Sequence, residues 1–339
     1  MKQKPFIIAE MSGNHNQSLE NALAIVESAA NAGCSALKLQ TYTPDTMTLD
    51  CNSPDFIIND PKSLWYKRNL YDLYREAMTP WEWHKPIFDK CKQMGLLPFS
   101  TPFDSTAVDF LEKLDCPIYK IASFENTDIP LIKKVASTGK PVIMSTGMAS
   151  FEELEESVNC LKENGCNDIT LLKCTSSYPA SPETCNLLTI PDMQKRFGVD
   201  IGLSDHTLGI GVSVTSIALG VTVIEKHFTL SRADGGVDSA FSIEPEEMKK
   251  LVDEVNIAWL ALGKISYGIS SDSEEKSKKF RRSVYASENI KKNQKFTSVN
   301  IRVIRPGFGI APKYYDEIIG KKATENILKG TPLNWSLIK

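Results

Sequence analysis

The sequence predicts a (β/α)8 barrel followed by a small module of short strands. Eight short, apolar, β-rich runs recur between Phe6 and Leu230, and amphipathic segments of helical spacing lie between them. After Gly263 the pattern changes to strand-like pieces broken by turns. A chain of 339 residues suits this plan, because a β/α barrel takes about 250 residues and leaves room for one appendage.

The eight runs begin at Phe6 (FIIAEMS), Ala36 (ALKLQTY), Leu97 (LPFSTPF), Ile118 (IYKIASF), Pro141 (PVIMSTG), Ile169 (ITLLKCTSSYP), Asp200 (DIGLSDHT) and Thr222 (TVIEKHFTL). Between them, SLENALAIVESAANAG, SFEELEESVNCLKENG and EPEEMKKLVDEVNIAWLALG place apolar residues near the 3.6-residue period and end in Gly or polar turns. Ser150 with Glu153 reads as a capping box. Alternation of strand and helix implies a parallel sheet, and eight repeats close a barrel. An open doubly wound sheet is disfavoured, since no strand is followed by GxGxxG or GxxxxGK[ST]. The stretch Pro44 to Ala77 is long for a βα connection and is expected to form a loop over one barrel end. These signals divide the chain into a barrel domain (1–265), a polar linker (266–279) and a strand-rich module (280–339).

Composition narrows the function classes. Hydrophobic content of 42% with 24% charged residues fits a soluble globular protein; no apolar run reaches the roughly 18 residues of a membrane span, and the N-terminus lacks a secretory core, so a cytoplasmic location is expected. The eight cysteines contain no CxxC pair and read as reduced, buried small hydrophobes. Net charge is −3, but Lys276–Lys339 carries 15 basic against 4 acidic residues, so the tail is +11 and the remainder −14. A basic appendage raises the possibility of nucleic-acid binding. No long basic run or RNP-like aromatic spacing supports it, and docking on an acidic body or anionic ligand needs no third partner.

Barrel chemistry gathers at the carboxyl ends of the strands. There the sequence offers Glu10 and Asn14-His15, Lys38 and Gln40, Ser100-Thr101, Lys120 with Ser123 and Glu125, Ser145-Thr146-Gly147, Lys173 to Tyr178, Ser204-Asp205-His206, and Glu225-Lys226-His227. Three of the four histidines fall at these ends. His206 and His227, on neighbouring strands near Glu10, Asp205 and Glu225, suit a divalent metal with open positions, although a lone His is more often a satisfied structural residue. His84 lies within a helix and is read as structural. Lys38 and Lys120, interleaved with hydroxyls from Thr101, Ser123, Ser145 and Ser204, make a cationic, donor-rich surface for a phosphate and a carboxylate. Each Ser or Thr alone would be a turn residue bonded to backbone. A rival mechanism uses Lys173 as a Schiff-base nucleophile, as in pyruvate aldolases.

IAEMSGNHNQSLE, LKLQTYTPD, FSTPFD, YKIASFE, IMSTGM, KCTSSYPASPE, IGLSDHTLG and IEKHFTL, in this order, resemble the sialic acid synthase family over the whole TIM-type barrel. RPGFG through LKGTPL resembles its C-terminal SAF, or antifreeze-like, module. TPWEWH, SRADGGVDSAFSIEPEE and FRRSVYAS look like the pseudaminic-acid-forming branch, and Ser176 and Lys173 stand where neuraminate synthases usually carry Asn and His. The resemblance implies a bacterial transferase that condenses phosphoenolpyruvate with 2,4-diacetamido-2,4,6-trideoxy-L-altrose, releasing phosphate, for flagellin or surface glycans; legionaminate or N-acetylneuraminate formation is the neighbouring alternative. It implies that His206 and His227 bind Mn2+, or Mg2+ or Co2+. It further implies that Lys38, Thr101, Lys120, Ser123, Ser145 and Ser204 bind phosphoenolpyruvate, and that Glu10, Glu125, Ser176, Tyr178 and Asp238 face the sugar, with Glu10 moving a proton. Arg305 would reach the sugar across a domain-swapped homodimer, and a carbohydrate- or ice-binding role for the tail alone is the non-enzymatic alternative.

Overall fold

In the computed structural model, which describes residues 4–339, the chain divides into two compact units after Gly263. The first is a closed barrel of eight parallel strands in sequential order: β1 (Phe6–Glu10), β2 (Ala36–Thr41), β3 (Leu97–Pro102), β4 (Tyr119–Ile121), β5 (Val142–Ser145), β6 (Ile169–Cys174), β7 (Asp200–Ser204) and β8 (Val223–His227). All eight predicted runs became strands. Closure is made by β1 against β8, where Glu10 pairs with His227.

The three amphipathic segments form helices whose ends follow from local chemistry. Leu19–Ala32 starts where the Ser18 side chain accepts from Asn21 N, and stops at Gly33, whose φ of 87° suits glycine. Phe151–Glu163 begins with the capping box of Ser150 and Glu153, and Pro245–Ala261 with one formed by Glu244 and Glu247. Their apolar faces, for instance Ile25, Val26, Leu154, Val158, Leu251 and Val255, bury against the outer face of the strands. Inside the barrel, a Cβ at Gly202 would meet Leu172 Cδ2 at 2.4 Å and Val223 O at 2.5 Å, so the packing there leaves room for glycine alone.

The stretch expected as a loop, Pro44 to Ala77, is partly helical, with Pro44–Met47, Pro54–Phe56 and Leu70–Ala77. Trp65 ties it to the segment after β8 by donating its indole N–H to Val237 O at 2.9 Å.

The second unit has its own core of Val284, Ile290, Phe296, Ile301, Ile318 and Leu333. In it β9 (Ser283–Ala286) pairs antiparallel with β10 (Ile301–Ile304). The polar segment read as a linker contains a helical turn, Asp272–Ser277, whose N-cap Ser271 accepts from Glu274 N; its residues are exposed.

Candidate active site

Successive strand residues point to opposite faces, and this decides which of the strand-end groups meet. Glu10, Lys38, Thr101, Lys120, Ser145, Cys174, Ser204, Glu225 and His227 converge inside the barrel through side-chain contacts. Lys38 Nζ lies 2.6 Å from Glu10 Oε2, 3.7 Å from Glu225 Oε2 and donates to Thr101 Oγ1 at 3.1 Å. Lys120 Nζ donates to Ser145 Oγ at 2.7 Å and lies 3.5 Å from Glu225 Oε1, which also accepts from Ser204 Oγ at 3.1 Å. Two ammonium groups and two carboxylates thus alternate in a space where Lys38 and Lys120 are 3% and 2% exposed.

Burial and neighbours push these groups apart electrostatically. Burial raises Glu10 to about 7 despite Lys38, with Glu225 adding to the rise. Burial alone would raise Glu225 too, but Lys120 and Lys38 hold its carboxyl below the ordinary value. Burial lowers Lys120, whereas Lys38 ends raised because Glu10 and Glu225 outweigh its own desolvation. Glu10 Oε1 is buried without a hydrogen-bond partner, and Glu225 Oε2 has only the 3.7 Å ion pair with Lys38.

Above this floor opens a cavity of about 380 Å³. Its polar lining is Ser12, Gln40, Ser123, Glu125, Ser176, Tyr178, His227 and Asp238; its apolar wall, much of it from the 44–77 stretch, includes Tyr42, Met47, Ile58, Trp65, Leu70 and Phe103. Burial raises Glu125 to about 7, and its Oε2 has no partner. Asp238, also raised by burial, accepts from Ser12 Oγ. Tyr178 packs on His206, with ring centroids 4.4 Å apart.

The two imidazoles meet at a centroid distance of 5.3 Å. His206 donates Nδ1–H to Thr175 O at 3.0 Å, which leaves Nε2 as its lone-pair nitrogen. His227 Nδ1 is buried without a partner, and burial keeps this ring neutral. Both rings therefore present donors suited to a divalent cation. Among the described residues, no group of three or more His, Cys, Asp or Glu side chains could hold a metal, so two imidazoles would leave most positions to other ligands.

Three sequence expectations change. Asp205 does not join the histidines: Lys226 Nζ donates to its Oδ2 at 2.9 Å, Ser213 Oγ to the same oxygen at 2.5 Å, and Thr207 N and Oγ1 to Oδ1. Glu225 serves the lysines. His15, expected at a strand end, closes the short helical turn Ser12–His15 after β1 and is enclosed, lying against the Trp83 ring edge and 3.2 Å from the Thr79 hydroxyl. His84 is structural as expected, donating Nδ1–H to Pro80 O. Lys173, half-buried, follows the opposite face of β6 from Cys174 and donates to Cys174 O at 3.1 Å. Arg305 is exposed in the second unit.

Cys174 went unnoticed in the sequence. Seven of the eight cysteines are buried, which fits the small-hydrophobe reading, but Cys174 faces His206 Nδ1 at 3.9 Å and accepts from Ser123 Oγ at 3.3 Å. Burial raises its thiol, yet His206, Ser123 and Lys120 bring it down to about 7. Asn126 was missed as well; its Nδ2 donates to Ser145 O and Gly147 O and fixes the end of β5.

The chain belongs to the NeuB family, matching it over residues 25–267, and matches the SAF domain over residues 281–339. It is 45% identical over 331 residues to the pseudaminic acid synthase of Campylobacter jejuni, covering 98% of this chain and 96% of that protein. Identity to the Helicobacter pylori pseudaminic acid synthase is 43% over 334 residues, with 98% of each chain covered. The N,N'-diacetyllegionaminic acid synthase of Campylobacter jejuni is 37% identical, covering 96% of this chain and 97% of that one. Among solved structures, the N-acetylneuraminic acid synthetase of Leptospira borgpetersenii superposes with a TM-score of 0.72 at 30% identity, covering 81% of this chain and 90% of its own. No helix among the described residues is long and apolar enough to cross a membrane.

Proposed function

We propose that this protein is a pseudaminic acid synthase, joining phosphoenolpyruvate to 2,4-diacetamido-2,4,6-trideoxy-L-altrose with release of phosphate. The observation that carries the chemistry is the enclosed set of Lys38, Lys120, Glu10 and Glu225 beneath a cavity with a large apolar wall. Paired ammonium groups with Thr101 and Ser145 hydroxyls suit a small dianion carrying phosphate and carboxylate. Tyr42, Met47, Ile58 and Trp65 suit acetamido methyls and a deoxy carbon better than a hydroxyl-rich sugar. The sugar assignment leans on the higher identity to pseudaminic than to legionaminic acid synthases.

In this reading C3 of phosphoenolpyruvate forms a bond to the aldehyde carbon, and positive charge develops at C2. Water adds at C2, and the tetrahedral intermediate loses phosphate by breaking the C–O bond, leaving the 2-keto acid. Lys38 and Lys120 hold phosphate and carboxylate, and with Ser123, Ser145 and Ser204 they stabilise the charge redistributed as phosphate departs. Glu10, poised near neutral pH, delivers a proton to the aldehyde oxygen as it becomes a hydroxyl. Glu125, Ser176, Tyr178 and Asp238 orient the open-chain sugar. A divalent cation such as Mn2+, held by His206 and His227, would polarise the aldehyde. Arg305, supplied by a second copy in a homodimer, completes the reading.

The test is phosphate release and product mass with phosphoenolpyruvate, Mn2+ and, in parallel, the L-altrose derivative, its D-mannose-configured isomer and N-acetylmannosamine. Turnover of the first alone, abolished by EDTA, supports the proposal. Turnover of another alone would keep the reaction and replace the sugar, and no metal-dependent phosphate release with any sugar would refute it.

A further inference from the structure

The two histidines are each followed or preceded by a charged residue facing the other way. His206 follows Asp205, and His227 follows Lys226. Because the strand period is two, His227 turns inward with Glu225 while Lys226 turns outward; Ser204 and His206 turn inward while Asp205 turns outward. The two outward side chains meet, each only 1% exposed, and Lys226 Nζ lies 2.9 Å from Asp205 Oδ2.

Their position matters because the sheet runs out at this height. The β7–β8 register ends at Ser204 opposite Glu225, and the last backbone bond across this seam is Asp205 N to Glu225 O at 2.9 Å. On its other side β8 remains tied to β1: Phe228 N donates to Glu10 O at 2.8 Å. Between the chain segments that carry His206 and His227, the connection beyond that point is made by side chains. Lys226 Nζ donates to Asp205 Oδ2 and, at 2.7 Å, to Thr207 O, so the lysine reaches across from the residue before His227 to both neighbours of His206. Asp205 is itself fixed by Thr207 N and Oγ1 and by Ser213 Oγ.

We infer that the buried Asp205–Lys226 pair is a positioning clasp that replaces the missing ladder between β7 and β8 and fixes the separation of His206 and His227 for a divalent cation. The inference rests on the reading of these histidines as metal ligands. Neither Asp205 nor Lys226 touches the metal or the substrates; they act through the backbone that carries the imidazoles. A pair of outward charges could serve stability alone, and the two roles differ in what they predict for metal affinity.

The experiment is calorimetric titration of Mn2+ into the full-length protein. Its variants are His206→Ala, His227→Ala, the neutral double replacement Asp205→Asn/Lys226→Met, and Val158→Ala, which removes buried volume from the helix Phe151–Glu163. Melting temperatures are recorded alongside. The wild type is expected to bind and either histidine variant to lose binding. The double replacement is expected to bind roughly 10- to 100-fold more weakly, as outer-shell replacements do, while Val158→Ala melts earlier but binds normally. Should the double replacement fail to fold, Ser213→Ala, which withdraws one bond from Asp205, is expected to weaken Mn2+ binding by a smaller factor. A folded double replacement, or in its place Ser213→Ala, with wild-type affinity overturns the clasp. Equal weakening by Val158→Ala does so too, since it would reduce the effect to stability. Absence of Mn2+ binding by the wild type, or full binding by the histidine variants, refutes the metal reading itself.

Discussion

Replacing Glu125 with Gln should change how stability depends on pH. The side chain is partly buried, its Oε2 lacks a partner, and burial raises it from 4.5 to about 7 against the pull of Lys120. A carboxyl raised on folding contributes stability that is fully present below its unfolded value and is lost as pH rises through its folded value. At about 1.4 kcal/mol per pH unit, the ceiling is about 3 kcal/mol; solvent reaching the exposed edge reduces the expected change to about 2 kcal/mol. Gln has the same shape and does not titrate. The unfolding free energy of the wild type relative to Glu125→Gln should therefore fall by about 2 kcal/mol between about pH 4.5 and pH 8. Urea denaturation followed by tryptophan fluorescence at several pH values in this window measures it. Parallel stability profiles for the two proteins would refute the claim that burial, and not the neighbouring lysine, controls this carboxyl.

Other expectations concern individual side chains. Glu10→Gln removes the proposed proton donor and should lower the phosphate-release rate by about 10²- to 10⁴-fold. The wild-type rate is expected to fall as pH rises through about 7, where Glu10 loses its proton, and Glu10→Gln should erase that fall. Lys173→Ala should keep activity within about threefold of wild type, and borohydride with pyruvate should label neither protein, because this amine lies on the outer face of β6. Ser150→Ala should cost about 1 kcal/mol in thermal or urea unfolding through loss of the capping box, with no effect on KM.

Periodicity in the sequence revealed the barrel because each strand is an apolar run bounded by turns, and three of its helices carry recognisable caps. The strand-end groups were equally visible. Their partners were less so, although one signal was available: neighbours in a strand cannot share a face. Applied to Asp205-His206, Lys173-Cys174 and Lys226-His227, that rule separates the inward residue from the outward one without coordinates. It could not show that Glu225 spans the interior to meet both Lys38 and Lys120, since that depends on strands several helices apart in sequence. Nor could it show Trp65 reaching Val237, a contact across 172 residues made by a stretch with little periodicity of its own. Cys174 was masked by its type, because a buried thiol is usually inert and only its neighbours set it apart.

The cavity above the lysines bears on the order of binding. Leu172 and Val223 crowd Gly202 inside the barrel, and the cavity of about 380 Å³ lies above Lys38 and Lys120. In the proposed reaction a sugar seated in that cavity would cover the lysines, so the three-carbon partner is expected to bind first. Phosphate, formed beside the lysines, is then expected to leave after the nine-carbon product. A site layered in this way, with its cations beneath its sugar wall, turns a two-substrate reaction into a queue.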